Sequence, residues 1–279
     1  MDILIYIDEL RTSNDTLAMA ALWLEHIPAN VTVMMPAKHA LELRQTALAR
    51  LPAEIQGSIT FEAMQGRPLK AVCKECETRE YDLLIAAPAG HGRLDELVHG
   101  SRIRHMVHDT NTSVVVARQV PPAIRRILVG VGTAEHALID VRVAVYLARA
   151  FQAELTVVHV ASQVPLMFTG LEQMRMELDS YLNSDLPGVR VLADARQIIA
   201  EAGYEPRIHL REGLVRDELL DEARGYDLVV IGAHAGKGWM SLMLDDIADH
   251  MVHYCPAPTL VVRSELPWGD DAADQGERS

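Results

Sequence analysis

At 279 residues, with 49% apolar and 23% charged side chains, the chain can bury one large core or two of ordinary size, and its length favours two. A formal net charge of −13 repels a phosphate backbone before any specific contact forms, which argues against nucleic acid and anionic membrane surfaces as partners. Three cysteines (Cys73, Cys76, Cys255) are too few for a disulfide scaffold of this size, and no apolar run approaches the ~20 residues that a bilayer span needs.

The chain opens on Met1-Asp2-Ile3-Leu4-Ile5-Tyr6-Ile7-Asp8, a strand-like run interrupted by acids and without the basic region of a signal peptide, so the expected compartment is the cytoplasm. From there, short β-branched runs alternate with stretches of 3.6-residue periodicity, the pattern of βαβ units and a parallel sheet. Strands are predicted near 2–8, 31–36, 58–63, 82–87 and 113–118, then again near 126–131, 154–160, 206–211, 227–232 and 259–263. Between the two sets, residues 119–125 (Gln-Val-Pro-Pro-Ala-Ile-Arg) form a join, because paired prolines end a strand.

The second set repeats the first. Tyr81-Asp82-Leu83-Leu84-Ile85 recurs as Tyr226-Asp227-Leu228-Val229-Val230, a shift of 145 residues, and the same shift carries His105-Met106-Val107-His108 onto His250-Met251-Val252-His253. At the front of each copy the shift is 124, with Ile3 to Asp8 matching Ile127 to Gly132. Copy two therefore holds 21 additional residues, expected between its second and third strands, where Val164 to Ala202 reads as a long helical region. The expected domains are 1–120 and 124–264, followed by a polar, acidic and mobile tail at 265–279.

After the fourth strand of copy one comes Ala87-Pro88-Ala89-Gly90, then nine residues, then Gly100-Ser101 opening a helix-like segment. Glycine lets a backbone approach phosphate, and the free N–H groups and positive dipole end of a helix favour an anion there, with a serine hydroxyl as an added donor. Taken alone, the same residues also read as an ordinary turn and cap. His91, Arg93 and His99 lie within this loop; Arg93 is the best candidate for a phosphate contact, against the plainer reading of a solvated surface arginine.

These residues resemble the universal stress protein family, whose nucleotide-binding members carry Gly-x-x-Gly, nine residues, then Gly-Ser or Gly-Thr. Gly90, Gly100 and Ser101 stand at three of the four defining positions, and Ala87 replaces the first glycine. The family's adenosine-contacting aspartate at the end of strand one matches Asp8, and the strand-two end that meets adenine through its backbone matches Met35 or Pro36. The resemblance implies two tandem five-stranded, parallel-sheet α/β sandwiches of the adenine-nucleotide α-hydrolase-like type. These would pair through their last strands as an intramolecular pseudo-dimer that can dimerise further. It implies an adenine-nucleotide-binding stress-response protein, with ATP, with or without magnesium, held by copy one and with protein partners still to be identified. A ligand-free interaction scaffold and a slow ATPase are the alternatives. Dedicated adenylation chemistry is not expected, since neither Ser-Gly-Gly-x-Asp-Ser nor His-Ile-Gly-His occurs and no general base stands out.

Copy two reads Gly232-Ala233-His234-Ala235, nine residues, then Asp245-Asp246, with Gly132 in the place of Asp8. Carboxylates facing a triphosphate repel it, by ~4 kcal/mol per unit-charge pair at 4 Å and an effective dielectric of 20. No nucleotide is expected there, and Asp245 or Asp246 is read as a helix cap. Lys237 in Gly236-Lys237-Gly238 lacks P-loop spacing. Cys73 and Cys76, spaced as redox or half-zinc pairs are, fall inside a predicted helix and read as packing. The paired histidines read as a shared helix surface rather than as metal ligands, and Asp15 and Asp140 as dipole partners at helix starts.

Overall fold

The computed structural model describes residues 1–9, 13–66, 68–88, 103–162, 188–233 and 239–263, with backbone alone for 162 and 239–246. Among the described residues, ten strands alternate with helices within each copy, as the periodicity implies. Copy one contains β1 (Asp2–Tyr6), α1 (Ser13–His26), β2 (Asn30–Pro36), α2 (Ala40–Arg50), β3 (Thr60–Met64), α3 (Pro68–Thr78), β4 (Leu83–Ala86), helical residues 103–109 (α4) and β5 (Ser113–Val116). Copy two contains β6 (Arg126–Gly130), α5 (Ala137–Phe151), β7 (Glu154–Ser162), α6 (Val189–Glu201), β8 (Arg207–Gly213), α7 (Val215–Ala223), β9 (Leu228–Gly232), α8 (Trp239–Tyr254) and β10 (Thr259–Val262). Each predicted strand is present within a few residues. Of the long helical region expected over 164–202, the described part holds α6; the rest, like the tail 265–279, lies outside the described residues.

All ten strands form one sheet, in the order β3-β2-β1-β4-β5-β10-β9-β6-β7-β8. Pairing is parallel throughout each half and antiparallel only where β5 meets β10. The apolar last strands, which would be exposed edges in an isolated copy, thereby become the two central strands. Register reproduces the repeat: Ile3 pairs with Leu83, and their counterparts Ile127 and Leu228 pair likewise.

Strand alternation sends side chains to two cores. Ile3, Ile5, Val115, Ile127, Val129 and Leu260 pack on one face with α1, α2, α5 and α6. Leu4, Leu84, Val114, Leu128, Val229 and Val261 pack on the other with α3, α4, α7 and α8. Each core runs unbroken from one copy into the next. On the first face, Trp23 of α1 is fully buried and meets Phe151 of α5 edge-on, ring centroids 5.5 Å apart.

The Tyr-Asp repeat has a structural cause. Asp82 accepts the Asp2 backbone N–H at 2.7 Å, and Asp227 accepts those of Arg125 and Arg126, each at 2.9 Å. In each copy, an aspartate just before the fourth strand thus ties down the start of the first.

Candidate functional site

In copy one, β1 is flanked by β2 on one side, with Tyr6 opposite Met34, and by β4 on the other, with Tyr6 opposite Ala86. From β1 the chain proceeds to β2 over one face, and from β4 it proceeds to β5 over the other. The order reverses between β1 and β4, and a crevice at the carboxyl ends of the strands is the expected ligand position there. The fully buried Ile7 extends β1 by donating its N–H to Met34 at 3.1 Å. Asp8 follows it, half-buried at the strand's end. Pro36 closes β2, buried and opposite Met64 of β3; lacking an N–H, it offers only its carbonyl. Met35 sits in the core at 1% exposure.

Ala87 follows β4, half-buried, and packs against the core on the α1 face. Its methyl therefore has a place in the protein interior. Asp8, Pro36 and Ala87 thus terminate three adjacent strands, spaced about 4.8 Å apart from one to the next. Gly90, Arg93, Gly100 and Ser101 lie outside the described residues, as do His91 and His99; Ile103, two positions after Ser101, is already helical and buried. Chemically, the described part supplies an acceptor carboxylate suited to sugar hydroxyls and a carbonyl suited to an exocyclic amine.

Copy two differs at each corresponding point. Gly132 is exposed, and a Cβ there would meet nothing within 4 Å, so an aspartate has room but is absent. Register places His159 where Met35 stands, since Val131 N bonds Val158 O at 2.9 Å just as Ile7 N bonds Met34 O. The sequence reading missed this histidine; extending the 124-residue shift along the second strand finds it. The residue is 2% exposed, and Nδ1 donates to Val131 O at 2.8 Å. Burial pushes its pKa below the usual histidine value, against the opposing effect of that bond, and keeps the imidazole neutral. Gly188 lies over the ring: at φ +91°, its Cβ would come within 3.0 Å of His159 Cε1 and 3.2 Å of Thr133 Cγ2, so both conformation and space require glycine.

The cap assigned to Asp245 or Asp246 is overturned. Helix α8 begins at Trp239, which puts both aspartates beyond its first turn, where the dipole's influence has faded. The preceding Trp-Met-Ser-Leu-Met-Leu continues readily as helix and moves the start forward.

The model of the universal stress protein family matches residues 123–263, half of the chain and the whole of copy two from the join to β10. The chain belongs to the universal stress protein family. Universal stress protein YxiE of Bacillus subtilis is 26% identical over 127 residues, covering 43% of this chain and 86% of that protein. Among solved structures, a universal stress protein from Archaeoglobus fulgidus superposes over 97% of both chains with a TM-score of 0.64 at 17% identity. A functionally unknown protein from Pseudomonas aeruginosa superposes over 95% of this chain and 92% of its own, with a TM-score of 0.69 at 17% identity. At these identities the likeness is one of fold, and it extends across both copies.

Most of the other residues singled out in this universal stress protein lie on described helices. Cys73 is buried on α3 and Cys76 half-buried; burial raises both thiols, Cys76 to about 12, and holds them protonated rather than as reactive thiolates. His108 Nε2 lies 2.7 Å from Asp249 Oδ1, while His250 and His253 lie against Tyr254, with ring centroids 4.7 Å and 4.5 Å away. Asp15 and Asp140 stand in the first turns of α1 and α5, as expected for dipole partners. Lys237 lies outside the described residues. No described helix is long and apolar enough to cross a membrane.

Proposed function

We propose that this family member is a cytoplasmic, adenine-nucleotide-binding stress-response protein in which copy one (1–120) holds the nucleotide and copy two (124–264) serves as its pseudo-dimer partner. The observation that carries this reading is the asymmetry of two equivalent strand-end sites. Copy one presents Asp8, Pro36 and Ala87 at the strand ends where the order reverses between β1 and β4, whereas copy two has Gly132 in place of the carboxylate and a buried His159 beneath Gly188. In this reading Asp8 accepts from the ribose hydroxyls and the Pro36 carbonyl meets adenine. Gly90, Gly100 and Ser101 cradle the phosphates of ATP, with or without magnesium, and Arg93 adds a cation. Packing of the Ala87 methyl on the core supports tolerance of alanine at a position where the family has glycine.

The test is the nucleotide content of the purified protein, followed by ATP titration of the native chain and of Gly100→Asp/Ser101→Asp. Native binding is expected, with affinity falling by at least tenfold in the double variant, since a charge pair at 4 Å contributes ~1 to 4 kcal/mol of repulsion. Binding that survives the double change overturns the site. Absence of binding in the native chain favours an interaction scaffold, and sustained turnover favours an ATPase.

A further inference from the structure

Where β5 meets β10, Val115 stands opposite Leu260, flanked by Val116 opposite Thr259 and Val114 opposite Val261. Val115 and Leu260 are the same position of the repeat, 145 residues apart, so a local two-fold axis passes through that pair. The contacts beside it obey this axis. Arg118 donates from Nη2 to the Val252 carbonyl at 3.3 Å, and Arg263 donates to the Val107 carbonyl. Arg118 with Arg263, and Val107 with Val252, are equivalent pairs, so one contact is made twice.

One contact breaks the rule. Arg104 of α4 and Asp249 of α8 are also 145 residues apart, yet they touch each other: Arg104 Nε lies 2.6 Å from Asp249 Oδ2. His108 Nε2 engages the other carboxylate oxygen at 2.7 Å, and the aspartate is only 17% exposed. Its mirror image would set His253 against the guanidinium of Arg104, which can only donate; His253 instead lies edge-on to Tyr254.

A position that meets its own counterpart across a two-fold axis bears the same charge twice whenever the two halves are identical. Two copies of the first repeat would bring Arg104 onto Arg104, and two of the second would bring Asp249 onto Asp249. Only the mixed pair is neutral. We infer that the Arg104–Asp249 pair is a pairing-specificity device: the β5/β10 surface accepts the repeat of opposite charge at this position and rejects a second copy of its own kind. With its arginine 63% exposed the pair adds little stability, but as a self-facing position it discriminates through the repulsion built into the wrong pairs.

The experiment uses the complete chain with a protease site inserted between Pro122 and Ala123, cleaved after folding so that both pieces remain present. Native mass spectrometry reads which pieces associate, and dilution reads how strongly. Native protein is expected to remain a one-to-one pair of different pieces. Arg104→Asp and Asp249→Arg are each expected to weaken association by about tenfold at low salt, less at high salt, and the combined swap to restore it. Mixing the cleaved single variants is expected to restore tight association by exchange of pieces, because the mixture holds both opposite-charge pairings of a first with a second repeat. In the uncut chain, the swap is expected to recover the thermal midpoint that either single variant loses. Native pieces that pair with their own kind, or a swap no better than the single variants by both measures, would overturn the inference.

Discussion

At the scale of single residues, Asp227 acts on the chain ends of a strand rather than on a ligand. Its carboxylate holds the N–H groups of Arg125 and Arg126 at 2.9 Å each. Asp227→Ala releases both, and a loss of about 1 to 2 kcal/mol is expected in urea unfolding, because bonds to a charged acceptor are stronger than neutral ones but these groups can regain water. His159 sets a pH dependence whose sign follows from its burial. Its folded-state pKa lies below the unfolded value of about 6.5, so below that pH the unfolded chain binds more protons. This contribution is complete above about pH 6.5 and is lost as pH falls toward the folded-state value. His159→Met, which copies the residue at the equivalent place in copy one, is expected to flatten the decline of the thermal midpoint between pH 7.5 and pH 5.

At the scale of elements, the outer strands carry the burden that the central ones escape. β3 and β8 are the sheet's edges. On β8, Arg207 pairs with Glu154 at 2.6 Å, while His209 Nδ1 at 2.7 Å and Arg211 both reach Glu222 of α7. Burial alone would raise the Glu222 pKa, but bonds from His209 and Arg211 outweigh it and hold the carboxyl below its ordinary value. Charged side chains tied along an edge discourage pairing with another strand. Glu222→Ala leaves His209 and Arg211 without this partner, and a loss of about 1 to 3 kcal/mol is expected in urea unfolding, with greater aggregation on concentration.

At the scale of the molecule, each face of the sheet has one core shared by both copies. The two repeats are therefore expected to unfold together, in a single transition seen alike by far-ultraviolet circular dichroism and tryptophan fluorescence. Trp23→Ala removes a fully buried ring that meets Phe151 of copy two and should cost about 3 to 5 kcal/mol. Hydrogen exchange by mass spectrometry is expected to accelerate in α5 as well as in α1. Protection retained in α5 would show that the copies are energetically separate.

Much of this architecture was legible in the chain because periodicity and repetition are local properties. The ten strands, the join at 119–125 and the 145-residue register could be read directly, since alternation and β-branched runs reflect burial on both faces of a parallel sheet. At the candidate site, Asp8, Pro36 and Ala87 came from the resemblance to the family's motif, and the pairing of β1 with β2 and β4 sets the ends of their strands side by side. The cap at Asp245 or Asp246 was misread because helix starts depend on a weak balance of propensities over several residues. The Tyr-Asp repeat was visible, but its purpose was not, because its partners lie on a strand about 80 residues earlier in copy one.

The sequence by itself determined that the protein is a duplicated parallel α/β chain whose halves differ at the positions expected to meet a ligand. Only the tertiary structure decided that the final strands join ten strands into one sheet, that His159 lies buried under Gly188, and that Arg104 and Asp249 face each other across an internal axis. The physical reason is distance along the chain. A repeat pattern records what each residue prefers locally, whereas charge complementarity and burial depend on which residue folding sets opposite it.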